Sequence, residues 1–233
     1  MAALLEVSNL EAWYGESQAL HGVDLKVGEG EMITILGRNG VGKTTTLRAI
    51  MGLIRSRKGE IRLAGKDMLP VPLHKTAKHG LGFVPEERGI FATLTVEENL
   101  KLPPVVAEGG MSLDEIYELF PNLLERRSSP GTKLSGGEQQ MLAMARILRT
   151  GIKVLLLDEP TEGLAPVIVQ RIGDVLQKLK ARGMTVVLVE QNFRFAAKIS
   201  DRFYLMDHGQ MVADFPVGDL PNRMGELNKV LGV

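Results

Sequence analysis

Cysteine is absent from the chain. Disulfides and thiolate metal sites are therefore excluded, and the composition fits a reducing cytoplasm. Net charge is missing as well. The 28 basic and 28 acidic side chains cancel, so no long-range field draws the molecule to DNA or to an acidic membrane surface, and no nucleic-acid partner is expected. Nor is there a run of about 18 apolar residues; the longest, Val154–Leu157 and Thr185–Val189, have the length of buried strands. A chain that spans no bilayer is expected, and any transport would need a pore from another polypeptide. Met1–Asn9 meets Glu6 before any apolar run and lacks a basic leader, which does not fit a signal peptide. Internal repeats and low-complexity segments are lacking too. What remains is 233 residues with 44% hydrophobic content, ordinary for a globular protein with one large domain or two small ones.

Residues Leu4–Tyr14 and Val23–Val27 alternate apolar and polar, as half-buried antiparallel strands do, and Gly28–Glu31 makes a turn. Met32–Leu36 follows as a strand buried on both faces. A glycine-rich loop leads from it into a helix over Lys43–Leu53, with Leu47, Ile50 and Met51 on one face and Gly52 near the stop. In the middle, Thr95-x-x-Glu98, Ser112-x-x-Glu115 and Ser135-x-x-Glu138 are capping-box patterns, which predict three helix starts and a helical subdomain over 86–150. Strand Val154–Leu157, a helix whose Ile168, Ile172, Val175, Leu176 and Leu179 share one face, and strand Thr185–Val189 make a βαβ crossover, so the sheet is expected to be largely parallel. A turn at Met206–Gln210 and a short polar tail close the chain.

Gly37-Arg38-Asn39-Gly40-Val41-Gly42-Lys43-Thr44 fits G-x-x-x-x-G-K-[ST] in the strand–loop–helix context that the motif requires. Glycines let successive backbone N–H groups face phosphate oxygens, and the helix N-terminus adds about half a positive charge. Arg38 and Asn39 contribute chiefly their backbone. Lys43 is expected on the β and γ phosphates of a nucleotide, Thr44 on Mg2+ and Thr45 on the α phosphate. Asp158 and Glu159 end a buried parallel strand, where ligands of open α/β sheets bind. Two adjacent acids need two roles: Asp158 suits the Mg2+ shell and Glu159 the base that polarises attacking water.

Leu134-Ser135-Gly136-Gly137-Glu138-Gln139-Gln140, shortly before the acidic pair, resembles the signature motif of ABC ATPases. Ser135 and Gly137 present a hydroxyl and a backbone N–H at a helix start, a second anion site. In the family that site grips the γ phosphate of ATP held by the opposite subunit, so two ATPs lie in a head-to-tail dimer. The resemblance covers essentially the whole chain. It implies an α/β fold with a P-loop NTPase (RecA-like) core and mostly parallel sheet, an N-terminal antiparallel β subdomain and an inserted helical subdomain. The core takes 1–85 and 151–233, the helices 86–150. Tyr14 resembles the aromatic that stacks on adenine, while its neighbour Trp13 packs in the strand.

Three positions depart from the family pattern: Glu86 stands where Gln is usual, Gln191 where His is usual, and Ala165 where Asp is usual. Lys43, Thr44, Ser135, Asp158 and Glu159 are all retained, so the departures mark a subtype. With Glu86 expected near Mg2+ and Gln191 orienting the γ phosphate, the set resembles one ATPase of the branched-chain amino acid importers of bacteria and archaea. That resemblance implies a second homologous ATPase, two membrane permeases and an extracytoplasmic solute-binding protein, with the chain peripheral on the cytoplasmic membrane face and able to form a homodimer in isolation. Urea and short-amide importers carry very similar ATPases. A DNA-repair or ribosome-associated ABC ATPase would bring tandem domains, coiled-coil insertions or basic arms, none of which occurs here. A kinase or GTPase acting alone would leave the signature loop unexplained. Phe91, just past Glu86, either marks a permease groove or is buried.

Overall fold

Why some apolar runs alternate and others are continuous becomes clear from the computed structural model, described over residues 3–232. The chain forms β1 (Ala3–Tyr14), β2 (Ser17–Gly28), β3 (Met32–Leu36), α1 (Lys43–Met51), β4 (Arg57–Leu63), β5 (Lys66–Asp67), α2 (Leu73–Thr76) and β6 (Leu81–Val84). Next come α3 (Val96–Lys101), α4 (Leu113–Leu119), α5 (Pro121–Glu125) and α6 (Gly136–Leu148). The remainder is β7 (Val154–Asp158), α7 (Pro166–Ala181), β8 (Thr185–Glu190), α8 (Phe193–Ala196), β9 (Arg202–Asp207), β10 (Gln210–Pro216) and α9 (Leu220–Leu231).

An antiparallel sheet runs β2-β1-β4-β5, and a six-stranded sheet runs β10-β9-β3-β8-β7-β6. In the second sheet every neighbouring pair is parallel except β9 with β10. Val154, Leu156, Val187 and Val189 enter the core shared with the antiparallel sheet and α1, while Leu155, Leu157, Val186 and Leu188 enter the core shared with α6 and α7. Strands covered on both faces have no polar side, hence the uninterrupted runs. On β1 the alternation Leu5, Val7 shifts phase to Leu10, Ala12. The register slips between Val7 and Leu10, with Asn9 at φ 47°, as a bulge requires.

All three capping boxes form, at Thr95, Ser112 and Ser135, each with both reciprocal hydrogen bonds. The helix after the glycine loop stops at Met51, shorter than expected, because Gly52 takes φ 84° as its C-cap. The turn expected near Met206 is the β9–β10 connection, with His208 at φ 44° and Gly209 at φ 76°. The expected polar tail is instead α9. Its Leu227 and Leu231 are buried against Leu36, Phe203, Leu205 and Phe215, with Leu220 and Met224 packed alongside. An apolar stripe at helical spacing was diluted there by the polar residues between its members. Among the described residues, no helix is long and apolar enough to cross a membrane.

Candidate nucleotide site

Parallel order places four strand ends side by side: β3 opens into the glycine loop, β8 ends at Glu190 before Gln191, β7 ends at Asp158 before Glu159, and β6 lies two residues before Glu86. In an open α/β sheet this edge is where ligands bind.

The loop after β3 is built for close approach. A Cβ on Gly37 would lie 2.6 Å from the Met206 carbonyl oxygen and 2.8 Å from Val41 Cγ2. Gly40 and Gly42 take φ 82° and 114°, a region that costs a side-chain-bearing residue about 1–2 kcal/mol. Arg38, Asn39 and Gly40 are exposed, Val41 is half-buried against the core, and Thr45 is half-buried on the first turn of α1. The N-terminus of α1 has neither a side-chain cap nor an acidic residue in its first turn, which leaves its N–H groups available to an anion.

Lys43 is buried at 3% exposure, and its ammonium is fully engaged: it donates to the carbonyls of Gly37 (2.9 Å) and Arg38 (3.0 Å) and pairs with Glu159 Oε1 at 3.0 Å. Glu159 adopts φ 43° and its N–H bonds to the Val189 carbonyl at 3.0 Å, so β8 holds the residue in a strained conformation that turns it to Lys43. One position back, Asp158 Oδ1 accepts from the Thr44 hydroxyl at 2.8 Å, while its buried Oδ2 has no partner. Burial pushes the Asp158 carboxyl up to about 6, opposed by the Thr44 hydrogen bond and reinforced by the charges of Glu159 and Glu86. A threonine hydroxyl beside an unsatisfied carboxylate oxygen is a donor set for a hard cation such as Mg2+. Among the described residues no cluster of three or more His, Asp or Glu forms a protein cage, so such an ion would draw its other ligands from phosphate and water.

Glu86 and Gln191 are exposed at their strand ends, and Tyr14 is 50% exposed at the end of β1. Trp13 faces the other side of the strand, half-buried, with the Lys58 ammonium 5.3 Å from its ring centre. Phe91 is 45% exposed, with the Arg146 guanidinium 4.8 Å from its ring centre.

Ser135 caps α6. Its oxygen accepts from the Glu138 N–H at 3.3 Å, and its own N–H and hydroxyl both donate to the Glu138 carboxylate at 2.8 Å. Among the described residues no hydrogen bond joins this helix start to the glycine loop. The two signature glycines have packing reasons. A Cβ on Gly137 would collide with Ile168 Cγ2 of α7, and one on Gly136 would lie 3.1 Å from the Arg88 guanidinium. Arg88, at φ 67°, also donates to Gln139 Oε1 at 3.1 Å. Sequence reasoning did not single out Arg88, and nothing in the local pattern marks it. Glu190 was missed too, although a carboxylate ending an otherwise apolar strand is a readable signal, because buried acids need partners.

The family model described as "ABC transporter" matches residues 20–162, from β2 through the loop after Glu159. The chain belongs to the ABC transporter family. As an ABC ATPase it binds nucleotide and hydrolyses ATP. It is 41% identical over 212 residues to the high-affinity branched-chain amino acid transport ATP-binding protein BraG of Pseudomonas aeruginosa, covering 90% of this chain and 91% of BraG. With the lipopolysaccharide export system ATP-binding protein LptB of Haemophilus influenzae the identity is 34% over 217 residues, 91% of this chain and 90% of that one. A solved dimeric ATP-binding cassette in a post-hydrolysis state, bound to ADP and Pi, aligns with TM-score 0.78 at 28% identity, over 91% of this chain and 98% of that one.

Proposed function

We propose that this ABC ATPase powers the import of branched-chain amino acids, working at the cytoplasmic membrane face with two permeases, an extracytoplasmic solute-binding protein and a second homologous ATPase. The observation that carries the cargo is the 41% identity to BraG over nine-tenths of the chain, against 34% to LptB. For the chemistry, it is the pairing of Lys43 with Glu159 and of Thr44 with Asp158, side by side at the strand ends with Lys43 and Asp158 buried.

Lys43 exchanges its carbonyl and Glu159 contacts for the β and γ phosphates, and the backbone of Gly37–Gly42 wraps them. Arg38 and Asn39 remain outside, and Thr45 reaches the α phosphate. Tyr14 offers its exposed ring to adenine, a contact worth about 1–3 kcal/mol. Thr44 and Asp158, with Glu86 at the rim, hold Mg2+. The bound ion supplies charge neutralisation of the phosphates. Glu159 polarises the attacking water, and Gln191, which does not titrate near neutrality, orients the γ phosphate. Ser135 and the Gly137 N–H take the γ phosphate held by the opposite subunit of a head-to-tail pair, so ATP closes the dimer and hydrolysis releases it. A homodimer substitutes for the mixed pair when the chain is alone.

Replacing the chromosomal copy by Lys43→Ala and following labelled leucine and labelled urea in the same cells tests the reading. Leucine uptake alone is expected to be lost. Loss of urea uptake alone would assign the chain to an amide importer.

A further inference from the structure

We infer that Glu190 is a positioning residue that locks the loop following Glu159 to the loop carrying Gln191, so that the two move as one unit during turnover. The inference rests on the proposed roles of Glu159 and Gln191 at the γ phosphate.

Glu190 is 3% exposed at the end of β8, and among the described residues no basic side chain pairs with it. A carboxylate buried without a counter-ion is costly, and it persists only where hydrogen bonds over-determine it. Here three donors converge. The Thr161 hydroxyl donates to Oε1 at 2.7 Å, and the N–H groups of Gln191 and Asn192 donate to Oε2 at 3.2 and 3.3 Å. Thr161 lies two residues beyond Glu159 and is itself buried at 7% exposure, at the head of the loop into α7. Asn192 then caps α8, its Oδ1 accepting from the Phe195 N–H at 3.1 Å. One side chain thus ties the strand end that aims Gln191 to the loop that follows the base.

Both loops adjoin one apolar cluster, with Phe195 inside it and Leu164 packed against it, but the polar ends of the loops meet outside that cluster. A cleft of about 620 Å3 opens between α7 and α8, and Thr161, Leu164, Asn192 and Phe195 line it. The β7–β8 ladder and the Glu159 N–H bond to the Val189 carbonyl fix the strand ends, and the carboxylate bridge extends that tie beyond them into the two loops. Its geometry also predicts which substitution is tolerated. A glutamine at position 190 can keep its carbonyl oxygen on the two amides and turn its NH2 to the Thr161 oxygen, which accepts as readily as it donates.

The test compares kcat for ATP and the dissociation constant for ATP in the purified full-length chain. Thr161→Val and Glu190→Ala are expected to lower kcat about 10- to 100-fold through misplacement of the reacting groups, with ATP affinity held within about threefold. Glu190→Gln should restore kcat to within about threefold of the parent, since the hydrogen-bond pattern survives. The double variant Thr161→Val/Glu190→Ala should be no slower than Glu190→Ala, as for residues acting through one contact. Thermal melts identify an unfolded Glu190→Ala protein, in which case the milder Thr161→Val and the Glu190→Gln rescue decide. Gln191→Ala, run alongside, separates the layers: full turnover there would overturn the underlying reading of Gln191 and this inference with it. Normal turnover in Thr161→Val beside a slow Gln191→Ala would overturn the inference alone, as would a Glu190→Gln enzyme as slow as Glu190→Ala.

Discussion

Burial pushes the Glu190 carboxyl up to about 7 from an ordinary 4.5; the Thr161 hydroxyl and the Asn192 amide pull it back, and the nearby Glu159 charge adds to the rise. The folded value lies above the unfolded one. Its contribution to stability is therefore fully present below about pH 4.5 and is lost as pH rises through 7. The loss has a ceiling of about 3 kcal/mol. Glutamine at this position does not ionise, so Glu190→Gln is expected to melt several degrees above the parent at pH 8, with the gap narrowing as the pH is lowered through 7 toward 5. Calorimetric melts across that range check it, and a gap independent of pH would remove ionisation as the cause. The same residue is then a stability cost at neutral pH and a positional anchor.

Helix α6 comes close to α7 because Gly137 has no side chain facing Ile168. Gly137 is not among the residues with positive φ, so the demand for glycine is steric and not conformational. Gly137→Ala is expected to destabilise the chain by about 1–3 kcal/mol, the range for an overpacked contact. Combining it with Ile168→Ala opens the space and should recover much of the lost melting temperature. If the second substitution only adds to the loss, the Ile168 contact is not what excludes a Cβ. The capping box at Ser135 survives either change, because its bonds lie within Ser135 and Glu138.

Across the whole molecule, the proposed chemistry is divided: Lys43 sits on the nucleotide loop, whereas Ser135 opens α6, and no hydrogen bond connects them among the described residues. A head-to-tail pair supplies both to each ATP. In a homodimer, Lys43→Ala and Ser135→Ala are each expected to abolish turnover. An equimolar mixture should regain up to about a quarter of parental activity, since half the dimers are mixed and each has one intact composite site. Measuring ATP hydrolysis against mixing ratio checks this; absence of recovery where the unaltered chain sediments as a dimer would show that one chain completes its own site.

Local order was legible from sequence alone. The strand–loop–helix around Lys43, the three capping boxes, and the strands expected at Val154–Leu157 and Thr185–Val189, each observed one residue longer, depend on short-range periodicity and on hydrogen bonds a few residues apart, so composition and spacing determine them. The acidic pair and the nucleotide loop were visible as motifs for the same reason. What neighbouring residues cannot specify is which strand lies beside which. The sheet order inserts β8 between β3 and β7, and this puts Glu190 and Gln191 next to Glu159. The Thr44–Asp158 bond spans 114 residues and the Thr161–Glu190 bond spans 29. Arg88 against Gly136, Ile168 against Gly137 and the docking of α9 on Phe203 and Phe215 likewise arise from side chains that meet only after the layers pack. Sequence alone determined the local elements and nominated candidate groups for the site, Glu190 and Arg88 excepted. Tertiary packing decided which of them touch, because those contacts are set by burial shared between distant segments.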